Sequence, residues 1–286
     1  MSLRVRKTLL IALSVLLAAV SLFAGLLLTH PALEYRTAKF FFRPSGMPLQ
    51  KAEPLPGGRE WALTELMKEE TVTVIPSLLL VNGSHPLPDG YEAVLAEYNG
   101  ARMHPAMVEP YIALRDAVQK KTGQRIYVSA DFRTREEQEK ILADSEAGIA
   151  AQSGCSEHEA GLALDVYAPY YGGTAFLKSP AGREVNLRCA EFGFIIRYAE
   201  EKENVTGISY EPWHLRYVGA PHADWIAESG LALEEYLEAL VPEVWYEADG
   251  YRVLRTSSEN VTLPEAWQSC EISPDNAGYY ILTIKL

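Results

Sequence analysis

The first strong pattern along the chain is a run without charge. Residues 8–29 are uncharged and mostly apolar, rich in Leu, Ala and Val, and they follow Arg4, Arg6 and Lys7. About 20 such residues cross a bilayer as one helix. Cations before the run and none just after it predict residues 1–7 in the cytoplasm, residues 8–29 as a single-pass transmembrane anchor, and the bulk of the chain outside the cell membrane. A cleaved signal peptide would need a shorter apolar region with small residues at the cut, and Leu22-Phe23-Ala24 matches that poorly. Residues 30–58 are broken up by Pro31, Pro44, Gly46, Pro48, Pro54, Pro56, Gly57 and Gly58, a composition that predicts a stalk.

Beyond the stalk the pattern predicts a helix over 60–70 and an apolar run over 72–81 that ends in the Asn82-Gly83 turn signal. Val108, Tyr111, Ile112 and Val118 recur at helical spacing, which predicts a helix over 107–121 stopped by Gly123. A short strand follows over 126–129. Thr134 and Glu137 form a capping box that opens a helix reaching about 147, so Arg133 falls at a strand-to-helix corner. Ser179-Pro180 opens another helix, Gly193 closes it, and 194–198 reads as a strand. A helix over 233–240 precedes strand-like pieces at 251–254 and 279–284. This mixture predicts an α+β fold, with a small central antiparallel sheet and flanking helices over 59–241 and a C-terminal β extension over 242–286.

Composition adds little to that picture, and charge adds more. The 286-residue chain carries a formal charge of -12, and without the three N-terminal cations the remainder stands near -15. Nucleic acid and anionic lipid favour cationic surfaces, so neither is expected as the main partner. Cys155, Cys189 and Cys270 are an odd number, with no Cys-x-x-Cys to suggest a thiolate metal site. A disulfide between Cys155 and Cys189 would brace the segment before His158, the alternative being two buried free thiols, with Cys270 single.

Two of the six histidines keep chemical company. From Gly161, the alternation of Leu162, Leu164 and Val166 against Gly161, Ala163 and Asp165 predicts a strand with an aliphatic face and a nearly bare face carrying one carboxylate. Glu211-Pro-Trp-His214 predicts a second strand, with His214 opposite an apolar face of Trp213, Leu215 and Tyr217 and with Glu211 on the turn before it. Two imidazoles and a carboxylate are a ligand set for catalytic zinc, whose fourth position is held by a water with its pKa lowered to about 7. A neighbouring carboxylate then serves as general base. Glu211 suits that role better than Glu157 or Glu159, which read as solvated loop charges. His30, His85, His104 and His222 read as surface or capping residues.

Ser156-x-His158-x-x-Gly161-x-Ala163-x-Asp165 together with Glu211-x-x-His214 resembles the signature of the VanY-type D-alanyl-D-alanine carboxypeptidases, relatives of the D-Ala-D-Ala dipeptidases and LD-carboxypeptidases. Ser129-x-x-x-Arg133, Gly193-Phe-Ile-Ile-Arg197-Tyr198 and Arg216-Tyr217 agree with it. The resemblance implies zinc held by His158, Asp165 and His214, with Glu211 as general base. It further implies Arg133 beside the substrate's carbonyl or carboxylate, and Ser156 and Trp213 as substrate contacts. The implied substrate is a peptidoglycan stem peptide or precursor ending in D-Ala-D-Ala. An LD-carboxypeptidase, an endopeptidase and a non-catalytic wall-binding module are the other readings. A serine mechanism finds no Ser-x-x-Lys in the chain.

Overall fold

The alternation through Leu162, Leu164 and Val166 is realised as the middle of a small sheet, and all three side chains lie fully buried in one apolar cluster. The computed structural model describes residues 46–54, 57–144 and 151–286, with a few isolated positions before them. The chain from Pro44 to Leu286 forms one compact unit, and Met1–Arg43 is a separate one. The expected anchor at 8–29 lies outside the described residues apart from scattered helical positions. Among the described residues no helix is long and apolar enough to cross a membrane.

The N-terminal half of the unit contains β1 (Gln50–Ala52), β2 (Arg59–Ala62), α1 (Leu63–Leu66), β3 (Val72–Val74), β4 (Ala96–Tyr98), β5 (Ala101–Met103), α2 (Pro105–Thr122), β6 (Tyr127–Ala130) and α3 (Arg135–Asp144). There follow β7 (Ala163–Tyr167), α4 (Pro180–Arg188), β8 (Phe194–Ile196), α5 (Glu203–Thr206), β9 (His214–Tyr217), α6 (His222–Ser229) and α7 (Leu233–Ala239). The last stretch is all strand, with β10 (Trp245–Ala248), β11 (Tyr251–Thr256), β12 (Asn260–Leu263), β13 (Ser269–Pro274) and β14 (Tyr280–Lys285).

Local signals fix several of these boundaries. Thr134 and Glu137 exchange hydrogen bonds as a capping box, Thr134 N–H donating to Glu137 Oε2 at 2.8 Å and Glu137 N–H to Thr134 Oγ1 at 3.2 Å. Ser179 Oγ accepts from Gly182 N–H at 2.8 Å and starts α4. His104 caps α2 through Nδ1, which accepts from Ala106 N–H. Gly123, left-handed at φ 73°, ends that helix. The expected continuation of α3 to 147 falls outside the described residues beyond Asp144.

Two sheets organise the unit. The smaller is antiparallel in the order β6-β7-β9-β8, and its core face packs on α2 and α4 through Met107, Leu114, Val185 and Phe194. Each such fully buried side chain contributes roughly 1.5–3 kcal/mol of hydrophobic stabilisation. The larger runs β1-β10-β11-β14-β13-β3, antiparallel throughout except for the parallel β13–β3 pair. A further pair joins β2 to β12.

This second sheet corrects the expected domain boundaries. Part of the predicted stalk is strand β1, paired with β10. The first three residues of the predicted helix over 60–70 belong to β2, whose backbone pairs with β12, and only Leu63–Leu66 turns as a helix. Tertiary pairing overrides helix propensity there. The apolar run over 72–81 stays a strand only to Val74; Pro76 interrupts it, and Leu78 to Val81 continue as buried irregular chain. The C-terminal β segment is therefore not a separate extension, since three of its sheet contacts come from the N-terminal side. All three cysteines are free, so the suggested Cys155–Cys189 bridge is absent from the structure.

Candidate metal centre

Strand register brings the chemistry together. Asp165 on β7 stands directly opposite His214 on β9, and its other neighbour is Ala130 on β6. His158 arrives from a loop just before β7, a pair of tight turns in which Glu159 and Gly161 N–H donate to the carbonyls of Ser156 and His158. Gly161 closes the turns with φ +70°, a left-handed conformation, and a Cβ there would meet Leu95 at 2.9 Å. The left-handed backbone is what favours glycine here, since the Leu95 side-chain tip can swing aside. Gly161 does not lie on the bare face of a strand, as the alternation predicts, because β7 begins only at Ala163.

His158, Asp165 and His214 converge, each offering one ligand atom, with all three atoms within 4.8 Å of one another. Asp165 Oδ1 lies 3.5 Å from His158 Nε2 and 3.0 Å from His214 Nδ1. Tetrahedral ligands about 2.0–2.1 Å from a zinc ion stand about 3.3–3.4 Å apart. The two observed separations bracket that value. Asp165 Oδ1 is also buried without a hydrogen-bond partner, which suits an atom that takes a cation. The donor set and its spacing fit zinc.

The imidazoles present opposite nitrogens. His158 Nδ1 lies 2.7 Å from the carbonyl oxygen of Asp131. A carbonyl can only accept, so Nδ1 carries the proton and Nε2 faces the centre. His214 turns Nδ1 inward and Nε2 toward Glu157, 3.5 Å away. Burial pushes the His158 pKa down. Burial acts the same way on His214, but the carboxylates of Asp165 and Glu157 outweigh it and push this ring up to about 9. Burial would raise the Asp165 carboxyl, yet the two imidazoles hold it well below the usual carboxylate range.

Glu211 and Arg133 flank the three. Glu211 sits on the turn before β9, held where its N–H donates to Tyr198 O and its carbonyl accepts from His214 N–H. One of its carboxylate oxygens is 3.7 Å from His214 Nδ1, and burial raises its pKa above the ordinary value. Arg133 occupies the strand-to-helix corner, its Nη2 3.7 Å from Asp165 Oδ2 and its Nη1 donating to Gln138 Oε1 at 3.3 Å. Ser156 is buried at the start of the His158 turns. Trp213 is half-buried against the core, and its carbonyl accepts from Val166 N–H, so the structure joins it to β7 more clearly than to the cleft.

Three residues near the centre were misread or missed in the sequence. Glu157 is not a solvated loop charge: its side chain is fully buried, and Oε1 accepts from Arg197 Nε and Arg216 Nη1, both at 2.7 Å. Glu159 is buried too, accepting from Gly154 N–H at 2.8 Å and 3.0 Å. Gln138 is buried beneath Arg133 and donates to Ala151 O. Arg216 shares the His214 face of β9 and Arg197 directly follows β8; both are buried, and two buried guanidiniums need a buried acid to match them. His222 is likewise buried, not a surface residue.

A buried ligand triad with an acid and a cation at its rim defines a mononuclear metallohydrolase. The sequence narrows that class: a model of the VanY D-alanyl-D-alanine carboxypeptidase family matches residues 100–220. A bifunctional D-Ala-D-Ala dipeptidase and carboxypeptidase, VanXYC of Enterococcus gallinarum, is 35% identical over 192 residues, which cover 59% of this chain and 97% of that protein. The chain belongs to the VanY-type D-alanyl-D-alanine carboxypeptidase family. A D-alanyl-D-alanine carboxypeptidase of Enterococcus faecium is 30% identical over 201 residues, 63% of this chain, and the match spans 65% of that relative's length. The solved structure of a vancomycin-resistance D,D-pentapeptidase VanY variant in complex with Zn(II) is 34% identical, with a TM-score of 0.52 over 57% of this chain and 99% of that one. A vancomycin-resistance D,D-dipeptidase, VanXYg, shares the fold over 82% of this chain and 98% of its own, with a TM-score of 0.64 at 24% identity.

Proposed function

We propose that this chain is a zinc-dependent D-alanyl-D-alanine carboxypeptidase that removes the terminal D-Ala from peptidoglycan stem peptides or their precursors. The observation that carries the reading is the convergence of His158, Asp165 and His214 on one point, with Glu211 beside it. When bound there, zinc supplies a Lewis acid that polarises the scissile carbonyl and acidifies a water.

The residues of the chain do the rest. Glu211, with one face to the cleft and a pKa raised by burial, accepts the proton of the attacking water and passes it to the departing amine nitrogen as the C–N bond breaks. Arg133, clamped by Gln138, offers guanidinium donors to the carbonyl oxygen as it gains charge, or to the terminal carboxylate. Ser156, and less directly Trp213, are the further substrate contacts that the family pattern assigns. The cationic start and apolar run before residue 30 support a catalytic unit held outside the membrane.

The test measures metal content and D-alanine release from a pentapeptide ending in D-Ala-D-Ala, beside a tetrapeptide ending in L-Lys-D-Ala. Glu211→Ala should retain stoichiometric zinc and lose turnover by about 10²–10⁴-fold. A fully active variant would overturn the mechanism. Release from the tetrapeptide alone would assign the chain to LD-carboxypeptidase activity instead.

A further inference from the structure

Beneath the metal centre lies a buried cluster of charge that the proposed chemistry does not use. Glu157 shares Oε1 between Arg197 and Arg216. Arg197 continues to both carboxylate oxygens of Glu234 on α7, at 2.6 Å and 2.9 Å, and Glu234 in turn accepts from Asn82. Arg216 also donates to the carbonyls of Ser77, Leu79 and Tyr217. Two acids and two guanidiniums thus balance, and almost every polar atom is satisfied.

The exception is informative. Glu157 Oε2 and His214 Nε2 are both fully buried, and among the described residues neither has a hydrogen-bond partner within strict geometry. They face each other at 3.5 Å. A small rotation of either side chain closes that gap to a hydrogen bond, and no other acceptor is placed to take the Nε2 proton. A carboxylate whose second oxygen is pinned by two arginines is a rigid acceptor.

We propose that Glu157 is a positioning residue for the metal centre, fixing His214 as the Nε2–H tautomer so that its Nδ1 lone pair points at the metal. The inference rests on the zinc half of the function proposed above and not on the identity of the peptide cleaved. Glu157 does for His214 what the Asp131 carbonyl does for His158, from the opposite nitrogen. Arg197 and Arg216 hold the carboxylate itself in place, so it presents a fixed acceptor to the ring. A glutamine at this position must aim its amide N–H₂ either at two guanidiniums or at the imidazole N–H, donor against donor in both cases.

The experiment uses the full-length protein and reads zinc, not D-alanine. Zinc affinity by chelator competition is compared for wild type, Glu157→Gln and Glu234→Gln. The second substitution disturbs the same cluster without touching His214. Glu157→Gln should weaken zinc binding by about 10–100-fold, while Glu234→Gln stays within about threefold even if it melts earlier. Equal affinities in the two variants would overturn the proposal. Should Glu157→Gln fail to fold, long-range proton–nitrogen correlation of the imidazoles in zinc-loaded wild type decides the matter. His214 bound through Nδ1 with its proton on Nε2, and His158 the reverse, supports the assignment. His214 bound through Nε2 sinks it. A chain that bound no zinc at all would refute the metal reading itself, a distinct outcome.

Discussion

Lowering the pH from 7 to 4.5 should weaken this fold by an amount traceable to His222. The ring is buried between α6, α7 and β14, with Nδ1 2.6 Å from Tyr236 Oη and Nε2 2.7 Å from Thr283 Oγ1. Burial pushes its pKa from the ordinary 6.5 down to about 3. A histidine depressed in this way fits best when neutral. Its contribution is therefore complete above pH 6.5 and is lost progressively as the pH falls toward 3. Between pH 7 and 4.5 the unfolded chain takes up a proton that the folded chain refuses, which costs about 2.5 kcal/mol of stability. For a unit of this size that is about 5–10 °C in melting temperature. Carboxylates such as Asp165 and Glu157, held low in the folded chain, also lose stability in acid, so the comparison must cancel them. His222→Gln does so: it remains neutral at both pH values and keeps one of the two hydrogen bonds. Urea unfolding of metal-free wild type and variant, followed by tryptophan fluorescence with Trp225 against the ring, gives the stability gap at each pH. The gap should shrink by about 2.5 kcal/mol on going to pH 4.5. A gap unchanged within about 0.5 kcal/mol would refute the claim that a neutral, buried imidazole ties the helices to the sheet.

Two further outcomes follow from the centre itself. His214 holds a proton up to about pH 9 in the metal-free chain, and the metal must displace it. Zinc affinity should accordingly rise about tenfold per pH unit between pH 6 and 8, read by chelator competition, and a flat profile would place that proton elsewhere. Arg133→Met should retain zinc but lower kcat/KM for D-alanine release by about 10²–10³-fold, as expected for a lost charge-stabilising donor. An effect below about threefold would remove Arg133 from the substrate.

The convergent triad of His158, Asp165 and His214 was legible because its pattern is local. His158 and Asp165 are separated by six residues that turn and then alternate, and His214 follows Glu211 by three, so a reader of the sequence needs only a strand period and a ligand set. The caps at Thr134 and Ser179 were legible for the same reason. What could not be read was long-range. Nothing in Gln50–Ala52 or Arg59–Ala62 announces a partner two hundred residues on, and propensity favours a helix in the second. Glu157 was misjudged because a charge in a loop is usually solvated. Its burial depends on Arg197, just past the end of β8, and on Arg216 of β9. The same limit hid His222, whose surroundings come from α7 and β14.

The weave of the larger sheet bears on how the chain is made. Ser77 and Glu271, bonded across the β3–β13 neighbourhood, are 194 residues apart in sequence. Strand β14 lies in the interior of that sheet, between β11 and β13. During synthesis β1, β2 and β3 emerge early and have nothing to pair with until nearly all of the remaining chain has followed. Pairings of such separation close slowly, because the loop entropy is spent before the contacts repay it. Exposed strands that wait are open to mispairing with a neighbour. The first three strands are thus held in place only by β10, β12 and β13, which are among the last parts of the chain to arrive.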